Sequence, residues 1–192
     1  AQNSVESSIQ SIGSNLLIVT PGAARGAGVS ISAGRGSATS LKQADADAIS
    51  KSVTGVKAVA PELGRRYQVT AKGNNTNTQV TGTVPDYLTV RNFQIDAGAF
   101  FTGSQMTSLS KVAVLGSTTA VDLFGSGVSP IGQTIRVNGT EFKVIGTMKA
   151  KGGTGFSNPD DAIYVPITTA QRFLAGDTYV SSISVQAENQ ST

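Results

Sequence analysis

Apolar residues along this chain switch repeatedly between the 3.6-residue spacing of a helix and the alternation of a strand. Val5, Ile9 and Ile12 form a helical stripe that Gly13 ends. NLLIVTPG (15–22) reads as a strand followed by a turn. Residues 22–40, GAARGAGVSISAGRGSATS, break every period and read as a mobile loop, longer than a compact domain usually carries. SLKQADADAISK (40–51) gives the best helix, with Ser40 as N-cap, Leu41, Ala44, Ala48 and Ile49 as its stripe, and Gly55 to close it. VKAVAPEL (56–63) is a strand with Pro61 near its end. In RRYQVTAKGNNTNTQVTGTV (65–84), Tyr67, Val69 and Ala71 alternate on one arm of a hairpin, Val80, Gly82 and Val84 on the other. Residues 72–77 form its polar turn.

The second half continues in the same manner. PDYLTVRNFQIDAGAFFT (85–102) mixes helix and turn signals, with Tyr87, Val90 and Phe93 on a short helical stripe. KVAVLGSTTAVDLFG (111–125) predicts a strand at 111–115 and a helix at 117–124, the latter N-capped by Ser117 or Thr118 and burying Val121, Leu123 and Phe124. QTIRVNGTEFKVIGTMK (133–149) is the clearest hairpin: Ile135, Val137, Phe142, Val144 and Met148 flank Asn138 and Gly139, the preferred pair for a type I′ turn. KGGTGFSNPD (151–160) reads as a second flexible loop. DAIYVP (161–166) is a strand, TTAQRFLAG (168–176) a capped helix ending at glycine, and YVSSISVQAE (179–188) a final strand. Strand–helix–strand order at 15–63 and again at 161–188, around a β-rich middle, predicts an α+β fold with an insertion. The two outer units are expected to pack as one sheet with helices on one face.

Composition narrows the chemistry. The 192 residues suffice for one domain or two small ones, and 39% hydrophobic content excludes global disorder. Charged residues make up only 14%, so the surface is polar by hydroxyl and amide rather than by charge. There is no cysteine and no histidine, which removes disulfides, thiolate chemistry and the usual Ser-His-Asp machinery. A Ser/Thr hydrolase would need a Gly-x-Ser-x-Gly elbow that the chain lacks, leaving only a formal Ser-Lys pairing. The net charge of +3 comes from basic residues scattered singly, with few aromatics beside them, unlike a nucleic-acid reader. No apolar run approaches the length of a membrane span.

The 111–125 stretch raises the question of a phosphate cradle, since strand, glycine turn and helix start follow in order. Gly116 stands alone there, without the Gly-x-Gly-x-x-Gly fingerprint, and no Walker string occurs anywhere. Asp45 and Asp47, two apart on a helix, diverge by about 200° and cannot share a metal; they read as a solvated face. Asp160 and Asp161 lack further ligands at calcium-loop spacing and read as turn and strand-start residues. Phe100 and Phe101 read as core. Phe156, in a glycine-rich loop where burial is hard to arrange, is a candidate contact residue. The sequons Asn74-Asn75-Thr76 and Asn138-Gly139-Thr140 read as plain turns.

The ordered set SIGSNLLIVTPG, VKAVAPEL, TGTVPDYLTVRNFQIDAGAFFT, KVAVLGSTTAVDLFG, PIGQTIRVNGTEFKVIGTM and DAIYVPITTAQRFLAG resembles the periplasmic core domain of MacB-type ABC transporter permeases, within the FtsX-like permease superfamily. The resemblance covers roughly residues 7–188. It implies a porter-like α/β subdomain (1–82 and 155–192) and an inserted Sabre-like subdomain (83–154). It also implies an extracytoplasmic, non-catalytic domain without cofactors, set between the first two of four transmembrane helices. ATP hydrolysis would lie on a separate cytoplasmic domain or subunit. The domain would transmit that work outward and dock partners: a second permease copy and a periplasmic adaptor, a membrane fusion protein. The chain opens without methionine, as a loop cut from between membrane helices would, and 5–12 fits a stalk helix. Partner contact falls to the two glycine-rich loops, with Arg25, Arg35, Phe156 and Asn158 as candidates. The alternative within the family is a permease for lipoprotein release or for antimicrobial peptide sensing and resistance.

Overall fold

A computed structural model describes residues 15–21, 40–152 and 158–188. The expected stalk helix at 5–12, nearly all of the 22–40 loop, and Arg25, Arg35 and Phe156 lie outside the described residues. The elements are β1 (Leu16–Val19), α1 (Gln43–Ser52), β2 (Val56–Ala71), β3 (Asn74–Thr83), α2 (Tyr87–Val90), β4 (Ile95–Gly98), α3 (Gly103–Thr107), β5 (Val112–Leu115), α4 (Ser117–Phe124), β6 (Thr134–Val137), β7 (Thr140–Met148), β8 (Ala162–Pro166), α5 (Ile167–Ala170) and β9 (Ser182–Ala187). A π-helical turn, Gln171–Ala175, continues α5. The chain forms two compact units: Ala1–Glu62 with Asp86–Asn92 and Thr178–Thr192, and Leu63–Pro85 with Phe93–Asp177.

In the first unit, β9 lies between β1 and residues 56–62 of β2, antiparallel to both. Its core holds Val59, Ala60, Ile183 and Val185, with Tyr87 and Val90 of α2 and Ala46 of α1. β2 does not stop near Pro61 as expected but runs on to Ala71. Proline is tolerated because residues 56–62 form an edge of this unit's sheet, where a missing N–H breaks no ladder. Helix α1 begins later than expected: Lys42 is its N-cap, and the Lys42 N–H donates to Asp45 Oδ2 at 2.7 Å. Ser40 therefore caps nothing. Ala44 and Ala48 are exposed, and the helix turns Ala46 inward instead.

In the second unit, six strands close a ring. Residues 63–71 of β2 pair with β3, β3 with β8, β8 with β5, β5 with β7, β7 with β6, and β6 returns to β2. The β3–β8 and β5–β7 pairs are parallel, so this is a mixed barrel-like sheet. Val69, Ala113, Leu115, Ile135, Val137, Phe142, Val144, Ile163 and Val165, all fully buried, share its inner phase, and Val114 is buried on the other face of β5. β4 adds to β7 outside the ring. The β6–β7 hairpin turns at Asn138 (φ 47°) and Gly139 (φ 83°), as its sequence predicts. The β2–β3 hairpin turns at Lys72 (φ 48°) and Gly73 (φ 88°), since Ala71 already pairs with Asn74. Residues 74–77 belong to a strand, not to the broad polar turn expected from them.

The strands of the two outer segments lie on one hydrogen-bonded path, β1-β9-β2-β3-β8, as expected. Of the 161–188 segment, β8 and α5 pack in the second unit and only β9 joins the first. The compact units divide after Glu62, Pro85, Asn92 and Asp177. Within the second unit, the nine-residue β2–β3 register and the parallel β3–β8 pairing hold residues 63–71, β3 and β8 together.

Candidate functional site

The β5–α4 corner settles what the 111–125 stretch does. Gly116, not Ser117 or Thr118, is the N-cap of α4. The first free N–H groups of the helix are already used: Thr118 and Thr119 donate to the Asp160 carbonyl at 3.0 and 3.3 Å. Gly116 N–H donates to the Ala162 carbonyl at 2.8 Å. A Cβ on Gly116 would sit 2.8 Å from the Asp160 carbonyl carbon and from Pro159 O, so glycine is needed for chain approach, not for an anion. The place a phosphate would take is filled by the protein's own turn. Downstream, Thr119, Leu123 and Phe124 are buried while Val121 is half exposed, against the expectation that it faces the sheet.

That turn contains Asn158, the one candidate contact residue within the described residues. Its Oδ1 accepts from Asp160 N at 3.0 Å and its carbonyl accepts from Asp161 N at 3.2 Å. The Asp160 carboxylate is buried and accepts from Lys151 N and Gly152 N, both at 2.9 Å. Two backbone donors on one carboxylate tie the ends of segment 152–158 together. Asp161 Oδ1 accepts from Thr78 Oγ1 at 2.7 Å and Thr119 Oγ1 at 3.4 Å, and Tyr164 donates to the Pro159 carbonyl at 3.1 Å. Asp160 thus serves the turn and Asp161 the approach to β8. Among the described residues no group of three or more acidic side chains could hold a metal.

A second polar cluster lies in the first unit. Glu62 is 8% exposed. Arg91 Nε and Nη2 donate to its two oxygens at 3.3 and 3.1 Å, Ser184 Oγ donates to Oε1, and the Arg91 guanidinium lies 5.8 Å from the Tyr87 ring centre. This bidentate pair fastens the 86–92 segment to the sheet. Nothing in the spacing links Glu62 to Arg91, although a lone acid on the buried phase of an apolar strand is a signal that a partner exists.

No helix among the described residues is long and apolar enough to cross a membrane. A family model described as MacB-like periplasmic core domain matches residues 1–192. The macrolide export ATP-binding/permease protein MacB of Bdellovibrio bacteriovorus is 38% identical over 189 residues, covering 98% of this chain and 29% of the relative. The protein of the same name from Rhodospirillum rubrum is 37% identical over 186 residues, covering 96% and 28%. The chain therefore spans less than a third of these relatives. Among solved structures, the periplasmic region of MacB from Actinobacillus actinomycetemcomitans matches with a TM-score of 0.74 at 21% identity, over 95% of this chain and 78% of that one. The extracellular domain of the noncanonic ABC-type transporter YknZ from Gram-positive bacteria matches with a TM-score of 0.71 at 23% identity, over 92% and 84%. At those identities the structural likeness establishes the fold, and the match along the whole sequence establishes the rest: the chain belongs to the MacB-like periplasmic core domain family.

Proposed function

We propose that this chain is the extracytoplasmic domain of a MacB-like ABC transporter permease, which couples cytoplasmic ATP hydrolysis to export by passing on movement and by docking partners. The observation that carries the reading is the match over residues 1–192 to a periplasmic core domain, within relatives named as macrolide export ATP-binding/permease proteins. Those relatives are more than three times as long, which leaves room for membrane spans and a nucleotide-binding domain. A domain of this kind does no chemistry; its work is mechanical. A ring of six hydrogen-bonded strands around a fully buried core suits that work, because close-packed interiors deform little under load. The porter-like and Sabre-like subdomains, the second permease copy and a periplasmic adaptor belong to the same reading.

The test uses the parent transporter in liposomes and the isolated chain beside it. The isolated chain shows no heat of ATP binding in calorimetry. The parent transporter with this domain excised keeps basal ATP hydrolysis but loses macrolide export. Micromolar ATP binding by the chain, or full export without the domain, overturns the reading.

A further inference from the structure

The end of α3 carries a local conflict. Its N-terminus is built regularly, with Thr102 and Gln105 in a capping box: Thr102 N–H donates to Gln105 Oε1 at 2.9 Å. At its other end Leu109 N–H donates to Met106 O at 3.2 Å and Ser110 N–H to Gln105 O at 2.9 Å, the closing pattern of a Schellman motif. That motif asks for glycine at the left-handed position, and leucine occupies it with φ 52°. A branched apolar side chain there costs about 1 kcal/mol against glycine. Yet Leu109 leaves 39% of its surface open to solvent.

Beside it stands a second exposed apolar group. Thr168 and Thr169 of α5 donate to the carbonyls of Met106 and Ser110 at 2.7 and 3.0 Å, which brings the π-helical turn alongside residues 106–111. Phe173 on that turn is 38% exposed, with Lys111 Nζ 4.3 Å from its ring centre. Lys111 and the adjacent Arg172 are exposed, and neither has a carboxylate within 4 Å among the described residues. Asp177, close in sequence to Arg172, is committed to Arg65 at 2.6 Å.

We infer that Leu109, Lys111, Arg172 and Phe173 form a docking surface for an acidic segment of a partner protein that carries a bulky apolar residue. Two fixed apolar anchors beside two uncompensated cations are complementary to such a segment, and anchors held in place lose little freedom on binding. Two cations fall short of the four to eight that draw a protein to an anionic bilayer. The inference deepens the docking half of the proposed function and rests on it.

The experiment pans displayed random peptides against the immobilised chain; the corresponding region of MacB has been crystallised by itself. Expected are peptides with paired carboxylates flanking an aliphatic or aromatic residue. Their binding shifts amide resonances at 108–111 and 171–174 and falls about tenfold in the Lys111→Glu/Arg172→Glu variant. Leu109→Gly serves as the second variant: it relieves the left-handed strain, so it unfolds no earlier than wild type while binding weakens. No enrichment, peptides without acidic excess, shifts that map elsewhere, or flotation of the chain with phosphatidylglycerol vesicles overturns the inference. Such a failure leaves the coupling reading to its own assay in liposomes.

Discussion

Arg91→Ala is the substitution that most directly probes what secures the first unit. The guanidinium holds both oxygens of Glu62 at 3.1 and 3.3 Å, and among the described residues only the Ser184 hydroxyl would remain to face that carboxylate. Removing one partner of a buried pair costs about 3–5 kcal/mol. Here the Arg91 side chain keeps 25% of its surface in solvent and the Glu62 side chain 10%, so water entering the vacated space recovers part of that loss. Loss of the contact with Tyr87 restores about 0.5 kcal/mol to the cost. The net expectation is about 2–3 kcal/mol, which moves a urea midpoint followed by far-ultraviolet circular dichroism down by roughly 1 M. Replacing both residues, as Glu62→Met/Arg91→Met, removes the charge problem and recovers most of the loss. A midpoint for Arg91→Ala within about 0.2 M of wild type refutes the reasoning. So does a double variant as damaged as the single one, since the loss would then come from packing rather than from an unpaired charge.

Other outcomes follow from the second unit. Gly116→Ala drives a methyl group into the backbone of Pro159 and Asp160 and lowers stability by about 3 kcal/mol, read from thermal melts; an unchanged melt would place the turn elsewhere. Asp160→Asn replaces one acceptor oxygen with an amide donor facing a backbone N–H, at a cost of about 2 kcal/mol, and hydrogen exchange at Lys151 and Gly152 speeds up first. Gly139→Ala, at φ 83° in the β6–β7 turn, costs about 1 kcal/mol by chemical denaturation, whereas Asn138→Gly is close to neutral.

Local patterns were the legible part of this fold. Asn138 and Gly139 between alternating apolar arms fixed the β6–β7 hairpin, and VAVLG followed by STTAVDLF gave β5 and α4 within a residue. Non-local pairing was not legible. No local feature says that β8 lies parallel to β3, or that the strand crossing Pro61 serves two units. The start of α4 was misread because its capping partner is distant in sequence. Asp160 lies more than forty positions from the N–H groups of Thr118 and Thr119, so Ser117 looked like a cap it never becomes. The Thr102–Gln105 box was readable from its spacing, as was the demand for a partner that Glu62 makes. Of the four contact candidates, Asn158 spends its side-chain oxygen inside its own turn, which leaves its amide nitrogen as the group to offer outward.

The pairing of β1 with β9 has a consequence in time. Leu16 finds its register partner only at Gln186, and Val19 at Ile183, so the earliest strand among the described residues waits for the latest. A ribosome adding about 5–20 residues per second leaves LLIV unpaired for roughly ten seconds or more. The second unit depends on neither β1 nor β9 for its ring and is free to close first. Folding of the first unit is thus limited by loop closure across almost the whole chain, the slow regime for β topologies. A truncation that removes the last strand strands the first one as well.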